Sequence, residues 1–265
     1  MYMMLTDETN TRPAANIKFF IYGGLIFPIE TLSELDEGIQ AIRDEAGYEA
    51  GDLLKFDTRV RPEQVEITEC TEAKRQVVEL CNELGCKFIV HVILHDIIRK
   101  QDLDQQTTWA ADYVIGRYNQ FLEEEDDHGI CSIDNLPNLG QWQYLGDKFS
   151  HGLNLPDGSN ISLDRIKHFS ATCVEASHAN SAMDIVLGTF RYCVNSPANP
   201  TAASEMMQSI VSMMWYTERG GVKYVQGRGL IYRPRIEDIR SDRYRAEYTN
   251  LSNHLSELLN SEEEN

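Results

Sequence analysis

Residues 18–27 read KFFIYGGLIF, and the fold depends on this run of aromatic and aliphatic side chains. Its aromatic and β-branched residues predict a strand, and Gly23 and Gly24 inside it predict a bulge or the close approach of another element. Residues 2–7 predict a first strand, and the turn-forming residues 9–13 separate the two strands. The chain therefore begins with a predicted pair of strands.

The hydrophobic pattern of the rest of the chain predicts strands that alternate with helices. Residues 86–94 (CKFIVHVIL) and 130–134 (ICSID) are almost continuously apolar, which is typical of strands buried on both faces. Shorter strands are predicted at 53–56 and 166–174. Helical spacing of apolar residues predicts helices at 31–46, 63–84, 109–122, 183–194, 203–215 and 242–259. Together these elements predict a mixed α/β sheet.

The composition is that of a globular protein. The chain has 265 residues, of which 42% are hydrophobic and 25% are charged, and this excludes a disordered or collagen-like protein. The formal net charge is −18. Such an acidic chain is a poor candidate for a general nucleic-acid coat protein, which needs many Lys and Arg contacts, or for docking on an anionic membrane.

The sequence carries no signal for a membrane or for export. No apolar run reaches the roughly 18 residues of a transmembrane helix, and the first ten residues lack the features of a signal peptide. The six cysteines form no C-x-x-C pair, and we interpret them as reduced thiols. We therefore expect a cytoplasmic protein without a membrane partner.

Three aspartates occupy positions from which they could converge. Asp7, with Glu8 beside it, closes the first predicted strand, and Asp134 closes a later one. Asp184 lies in the first turn of a helix predicted to begin near Ser181. Acids at strand ends and helix starts can meet outside one edge of an α/β sheet. Because carboxylates that share a pocket need a cation, the pattern predicts a site for Mg²⁺ or a similar ion on Asp7, Asp134 and Asp184.

Each of these acids also has an ordinary structural interpretation. Asp7 and Glu8 could open the turn that follows them. Asp134 could be the first residue of a turn at 134–137. Ser181 and Asp184 have the spacing of a capping box, so that Asp184 could cap its helix. The spacing alone leaves both interpretations open.

Five short segments resemble the domain-of-unknown-function 3800 family. Residues 4–8 and 21–28 are similar to its acidic first strand and its glycine-containing second strand, and residues 54–56 to its short lysine-bearing strand. Residues 133–134 resemble its central acidic strand, and residues 181–193 its late helix. The segments read MLTDE, IYGGLIFP, LKF, ID and SAMDIVLGTFRYC. The chain departs from the family at Thr9, where Ser is usual, and at Met183, where Ala is common.

The resemblance implies both a fold and an activity. The fold would be a ribonuclease H-like mixed sheet flanked by helices, with a helical C-terminal extension. Residues 1–216 would form the ribonuclease H-like domain, and residues 217–265 a basic segment and a helix packed on it. The activity would be that of a nuclease dependent on Mg²⁺ or Mn²⁺, with Asp7, Asp134 and Asp184 as metal ligands and Glu8 as a fourth acid.

Lys55 and His178 are further candidates for catalytic residues. Lys55 lies in the short strand predicted at 53–56 and could contact a phosphate or orient a water, or it could be a surface lysine with a buried stem. His178 lies six residues before Asp184 and could shuttle a proton, or it could be a loop histidine bonded to the backbone. His91 and His95 share one strand face and could bind a metal, although a core role suits an apolar strand better.

A basic segment stands out in this acidic chain. Between Arg219 and Arg245 there are eight basic and three acidic residues. Arg228, Arg233 and Arg235 alternate there with Gly and Tyr, which favours binding to a nucleic-acid backbone. The same arginines could instead pair with the acidic surface or with a second subunit in a homodimer.

The sequence therefore favours one function over two alternatives. The first is metal-dependent hydrolysis of phosphodiester bonds in DNA or RNA. The second is a non-catalytic scaffold with the same fold, such as an accessory protein of a mobile-element or phage-defence system. The third is hydrolysis of a small phosphate ester.

Overall fold

The strands coincide with the apolar segments of the sequence. A computed structural model describes residues 1–98, 103–134, 140–154, 158–195 and 199–260. Within these ranges the strands are β1 Tyr2–Thr9, β2 Phe19–Pro28, β3 Lys87–Leu94, β4 Gly129–Asp134, β5 Leu153–Asn154, β6 Asn160–Ile161, β7 Ile166–Thr172, β8 Thr217–Arg219, β9 Val222–Tyr224 and β10 Leu230–Tyr232.

The helices lie between the strands and after them. Those in the described ranges are α1 Leu32–Glu45, α2 Ile67–Glu83, α3 His95–Ile98, α4 Leu103–Glu124, α5 Gln141–His151, α6 His178–Val194, α7 Pro200–Val211 and α8 Asp242–Asn260. None of them combines the length and the apolar character that a membrane span requires.

A mixed sheet forms the centre of the fold. Within the described ranges it contains six strands in the order β10, β3, β2, β1, β4, β7. β1, β2 and β3 are antiparallel neighbours, whereas β4 runs parallel to β1 and β7 runs parallel to β4. This arrangement, with helices on both faces, confirms the predicted mixed sheet flanked by helices.

The two glycines of β2 allow helices to approach the sheet from both sides. A Cβ atom on Gly23 would lie 2.8 Å from Cδ1 of Leu187 in α6, and one on Gly24 would lie 3.0 Å from Cγ1 of Val114 in α4. The pairing of β2 with β1 and β3 continues through both glycines without a shift. Of the two predicted explanations, close approach is therefore confirmed and a bulge is not found.

Each face of the sheet carries its own hydrophobic core. On one face, residues of β1, β2 and β3 pack against α1, α2, α6, α7 and α8. On the other face, alternate residues of the same strands pack against α4 and α5. Because β2 and β3 are buried on both faces, their sequences are almost continuously apolar.

The structure differs from the predicted elements at residues 53–56, at α5 and at the start of α6. Residues 53–56 form no strand; the backbone N–H of Phe56 donates to Asp184 instead of to a neighbouring strand. Helix α5 was not predicted, because Trp142 and Phe149 in it are 73% and 64% exposed and disturb the apolar pattern. Helix α6 begins at His178 rather than near Ser181, and Ser177 caps it by accepting from the N–H of Asn180.

The C-terminal part of the chain is joined to both the sheet and the helices. β10 pairs with β3 in parallel, and α8 packs against α7 and β3. Residues 261–265 lie outside the described ranges. The division of the chain at residue 216 stays a prediction.

Candidate metal centre

The ends of β1 and β4 bring acidic residues together. These strands run parallel, and Leu5 pairs with Ser132. Two residues further along each strand are Asp7 and Asp134, so both reach the same edge of the sheet. Carboxylate oxygens of Asp7, Glu8 and Asp134 lie within 4.8 Å of one another. We call the cavity around them, which has a volume of about 440 Å³, the acidic cavity.

The carboxylates of the acidic cavity raise one another's proton affinity. Burial raises the pKa of Asp7 well above its usual range, and the charges of Asp134, Glu8 and Asp184 raise it further. Burial and the charge of Asp134 raise the pKa of Glu8 to about 7. The N–H of Glu8 donates to Oδ1 of Asp7 at 2.7 Å, which offsets only part of this effect. The cluster therefore cannot be fully ionised near neutral pH without a compensating cation.

The donor atoms of this cluster fit a hard divalent cation. Mg²⁺ and Mn²⁺ prefer carboxylate oxygens, and Asp7, Glu8 and Asp134 offer three such groups at short range. Oε2 of Glu8 is buried and has no hydrogen-bond partner among the described residues. Since a buried anionic oxygen is costly to leave unpaired, the cluster has the character of a metal site.

Asp184 lines the same cavity but is held differently from the other three acids. It lies in the second turn of α6, and its Oδ2 accepts the backbone N–H of Phe56 at 2.7 Å. Ser181 is buried within the helix and is not its cap, so the capping-box interpretation is wrong. The group of three closely spaced carboxylates therefore consists of Asp7, Glu8 and Asp134, whereas the sequence predicted Asp7, Asp134 and Asp184. The proposed turn after Asp134 lies outside the described residues.

Gly188 makes the contact between Asp184 and Phe56 possible. It lies one turn after Asp184 on α6, and a Cβ atom there would lie only 2.2 Å from Cγ of Phe56. Without a side chain at this position, residues 54–57 can lie directly on the helix. That segment also brings Lys55 to the wall of the acidic cavity.

Basic side chains form a rim around the acids. Lys55 and Arg191 line the acidic cavity. Arg191 donates to Oγ1 of Thr9 at 3.1 Å, and its guanidinium lies 5.3 Å from the centre of the Phe56 ring. Lys74 donates to the carbonyl of Phe56 at 3.1 Å. Arg191 lies seven residues after Asp184, on the same face of α6, and this spacing is the signal in the sequence for its place beside the acids.

The loop before α6 forms the opposite wall of the acidic cavity. Thr172, Cys173 and Glu175 line it. Asn180 ties this loop to the helix, since its Nδ2 donates to Oγ1 of Thr172 and to the carbonyl of Cys173, both at 2.8 Å. Cys173 is exposed, whereas the other five cysteines are buried; no cysteine forms a disulfide.

His178 does not join the acids. It is the first residue of α6 and is not among the residues that line the acidic cavity. Its Nε2 contacts Oε1 of Gln40 at 2.9 Å. His91 and His95 also lie elsewhere: His91 is buried against Tyr113, and His95 contacts the carbonyl of Asn10. A proton-shuttling role for His178 stays a prediction.

The three arginines of the basic segment lie outside the acidic cavity. Arg228 forms an ion pair with Glu124 and lies 4.8 Å from the ring of Trp215. Arg233 lies 4.7 Å from the ring of Tyr113, and Arg235 is exposed. The structure therefore separates these arginines from the acids, and their contact with nucleic acid stays a prediction.

Comparisons with known proteins give likenesses only among solved structures. No family model and no curated protein matches the chain, so membership of the domain-of-unknown-function 3800 family stays a prediction. Among solved structures, the ribonuclease H2 from Pyrococcus horikoshii OT3 is similar, with a TM-score of 0.40 and 10% sequence identity. The match covers 81% of this chain and 94% of that one. At this level of identity it says nothing about activity.

Proposed function

We propose that this protein is a nuclease that depends on Mg²⁺ or Mn²⁺ and hydrolyses phosphodiester bonds in DNA or RNA. The observation that carries the proposal is the convergence of Asp7, Glu8 and Asp134 within 4.8 Å of one another, at the edge of a ribonuclease H-like sheet. Asp184 lines the same cavity and adds to its negative charge.

In the acidic cavity, the acids bind the metal ion and the basic residues bind the phosphate of the substrate. Asp7, Glu8 and Asp134 hold the divalent ion, and Asp184 stands beside them. When bound, such an ion lowers the pKa of water and stabilises the leaving oxygen. Lys55 and Arg191 lie on the wall of the cavity, where their positive charges bind and orient the phosphate of the substrate.

The form of the acidic cavity suits a substrate that is larger than the cavity. Its volume is about 440 Å³ and it opens at the surface of the protein. Because the cavity is open, one phosphodiester group of a strand can reach the acids while the rest of the strand remains outside.

Cleavage assays with a ligand variant test the proposal. The purified protein is incubated with single-stranded DNA, duplex DNA, RNA and an RNA–DNA hybrid, in Mg²⁺, Mn²⁺ or EDTA. We expect cleavage only with a divalent ion, and the variant Asp7→Asn should lose more than about a hundredfold in rate, because it removes a metal ligand. Asp36→Asn is the matched control, since Asp36 is exposed on α1.

Two results would contradict the nuclease proposal. Cleavage that continues in EDTA, or that is equal in Asp7→Asn and wild type, would show that the acidic cavity is not the site of hydrolysis. Metal binding by calorimetry without cleavage of any of the four substrates would favour the non-catalytic scaffold instead. A homodimer and a cytoplasmic location stay predictions.

A further inference from the structure

A second cavity lies along α4. It has a volume of about 480 Å³ and shares no lining residue with the acidic cavity. We call it the arginine groove and define it by six of its lining residues, namely Trp109, Tyr113, Arg117, Gln120, Asn154 and Arg233. Its volume is within the range of pockets that bind small molecules.

Two cations of the arginine groove have no acidic partner. Among the described residues, neither Arg117 nor Arg233 forms an ion pair. Arg117 donates to Oε1 of Gln120 at 2.5 Å, and the Arg233 guanidinium lies 4.7 Å from the ring of Tyr113. Nε of Arg233 is buried and has no hydrogen-bond partner in the described part of the chain. Both side chains therefore retain unused donors.

Neighbouring arginines increase this surplus of positive charge. Burial lowers the pKa of Arg117, and the charges of Arg233, Arg228 and Arg235 lower it further. Glu124 opposes this effect, but it is already paired with Arg228. Such a cluster of like charges is stabilised when an anion binds between its members.

The acids that line the arginine groove already have partners of their own. Asp112 accepts from the hydroxyl of Tyr144 at 2.7 Å and from Nζ of Lys148 at 3.1 Å. Glu123 accepts from Nδ2 of Asn119 at 2.7 Å. Lys148 compensates the charge of Asp112, whereas the neutral amide of Asn119 leaves the charge of Glu123 in place, so the two arginines face one uncompensated carboxylate.

The arginine groove also offers an aromatic surface. Trp109 is 46% exposed, which is unusual for so large an apolar side chain. The ring of Tyr113, in contrast, is already stacked on His91, with their centroids 5.1 Å apart. Beside them, Leu153 and Ile161 contribute apolar surface. Trp109 is therefore the ring on which a flat ligand can stack.

We infer that the arginine groove binds a nucleotide unit, with its phosphate between Arg117 and Arg233 and its base against Trp109. Gln120 and Asn154 supply the amide groups that can hydrogen-bond a base edge. An anion alone needs no exposed aromatic ring, and an apolar ligand needs no unpaired arginine. The unit is either a free nucleotide or one residue of a strand, because both present the same chemistry. The inference does not rest on the proposed cleavage activity.

Binding experiments in EDTA test this inference. Without a divalent ion the acidic cavity repels phosphate, so binding there does not interfere. The probes are adenosine 5′-monophosphate, inorganic phosphate and a twelve-residue oligothymidylate, each titrated into the full chain by calorimetry. The variants are Trp109→Leu and the double variant Arg117→Gln with Arg233→Gln. The charge-matched control is Arg219→Gln with Arg240→Gln, since both residues are exposed and lie outside the groove.

The expected result is a loss of affinity confined to the groove variants. Trp109→Leu should weaken binding about fivefold to a hundredfold, as expected for one stacked base. The double arginine variant should weaken it about tenfold or more and reduce the salt dependence of oligonucleotide binding by about 0.7 of a unit, because the two arginines share one phosphate of a single strand. Binding of the monophosphate identifies a free nucleotide as the ligand, whereas binding of the oligonucleotide alone identifies a strand.

Several results would overturn the inference. The first is that neither nucleotide probe binds. The second is that inorganic phosphate binds as tightly as the monophosphate and Trp109→Leu changes nothing, which would leave only an anion site. The third is that Asp7→Asn alters binding as much as the double arginine variant does, which would place the ligand in the acidic cavity. Circular dichroism verifies that each variant is folded, and Trp109→Leu, at an exposed position, keeps the test decisive.

Discussion

The acidic cavity and the arginine groove both hold like charges close together in partly buried surroundings. Each contains a cluster of like charges, and in or beside each a buried titratable group is shifted toward its neutral form. In the acidic cavity, burial and Asp134 raise the pKa of Glu8 to about 7. Next to the arginine groove, burial and the charge of Arg233 lower the pKa of His91 to about 3. The like charges left in each region favour a ligand of opposite charge.

The two regions differ in how the chain builds them. Asp7 and Asp134 follow from the parallel register of two adjacent strands, so that the backbone itself places them side by side. Arg117 and Arg233, in contrast, come from a helix and from the segment after β10, and only packing brings them together. A site built on strand ends can be located from sequence, whereas one built by packed side chains cannot.

The largest effect in this comparison concerns the pH dependence of stability in the acidic cavity. For Glu8 the folded protein keeps its proton up to about pH 7, while an unfolded glutamate loses it near pH 4.3. Between these values the folded state binds more protons, so the free energy of unfolding falls as pH rises. In EDTA, the fall due to this residue should reach about 4 kcal/mol, and Glu8→Gln should remove it.

His91 provides the opposite case. An unfolded histidine takes up a proton near pH 6.5, whereas His91 in the folded protein stays neutral down to about pH 3. Stability should therefore fall as pH falls below 6.5, and His91→Phe should flatten that part of the curve. Denaturant unfolding at pH 4.5 to 8 measures both variants. The measured quantity is the difference in the free energy of unfolding between variant and wild type. If this difference changed with pH in the same direction for Glu8→Gln and His91→Phe, the comparison would be contradicted.

A smaller effect is expected from Gly188, which holds the wall of the acidic cavity. Gly188→Ala places a methyl group against Phe56, and such overpacking costs about 1–3 kcal/mol. Gly146→Ala is the control, because Gly146 lies in α5 with open space around its Cβ position; there, alanine should stabilise the helix by up to about 1 kcal/mol. Thermal unfolding of the two variants should shift in opposite directions. Equal shifts would show that Phe56 does not need the space above Gly188.

The smallest effect is expected in the arginine groove. Arg117→Gln removes one of several mutually repelling charges, and it should stabilise the protein without ligand by a few tenths of a kcal/mol at low salt. The gain should disappear at high salt, because ions screen the repulsion. Unfolding in denaturant at two salt concentrations checks this. A loss of stability that is the same at both salt concentrations would mean that packing, not repulsion, dominates at Arg117.

The hydrophobic pattern was sufficient to predict the sheet and the acids at its edge. Buried strands such as β2 and β3 need apolar side chains on both faces, so a continuous apolar run in the sequence predicts them. Asp7 and Asp134 could be placed because a strand end is a local feature and parallel strands end at the same edge. Gly23 and Gly24 predicted either a bulge or a close approach, and the structure shows the close approach.

The arrangement of the acids and the residues around them could not be predicted from the sequence, because they depend on contacts between distant segments. Asp7, Glu8 and Asp134 form the tight group, whereas Asp184 accepts the N–H of Phe56, a residue 128 positions away in the chain. Likewise, Arg233 of the basic segment lines the arginine groove together with Arg117 and Trp109 of α4 and does not line the acidic cavity. Contacts between distant segments depend on how helices pack on the sheet, and the hydrophobic pattern of a single chain specifies which face is buried but not which side chain it meets.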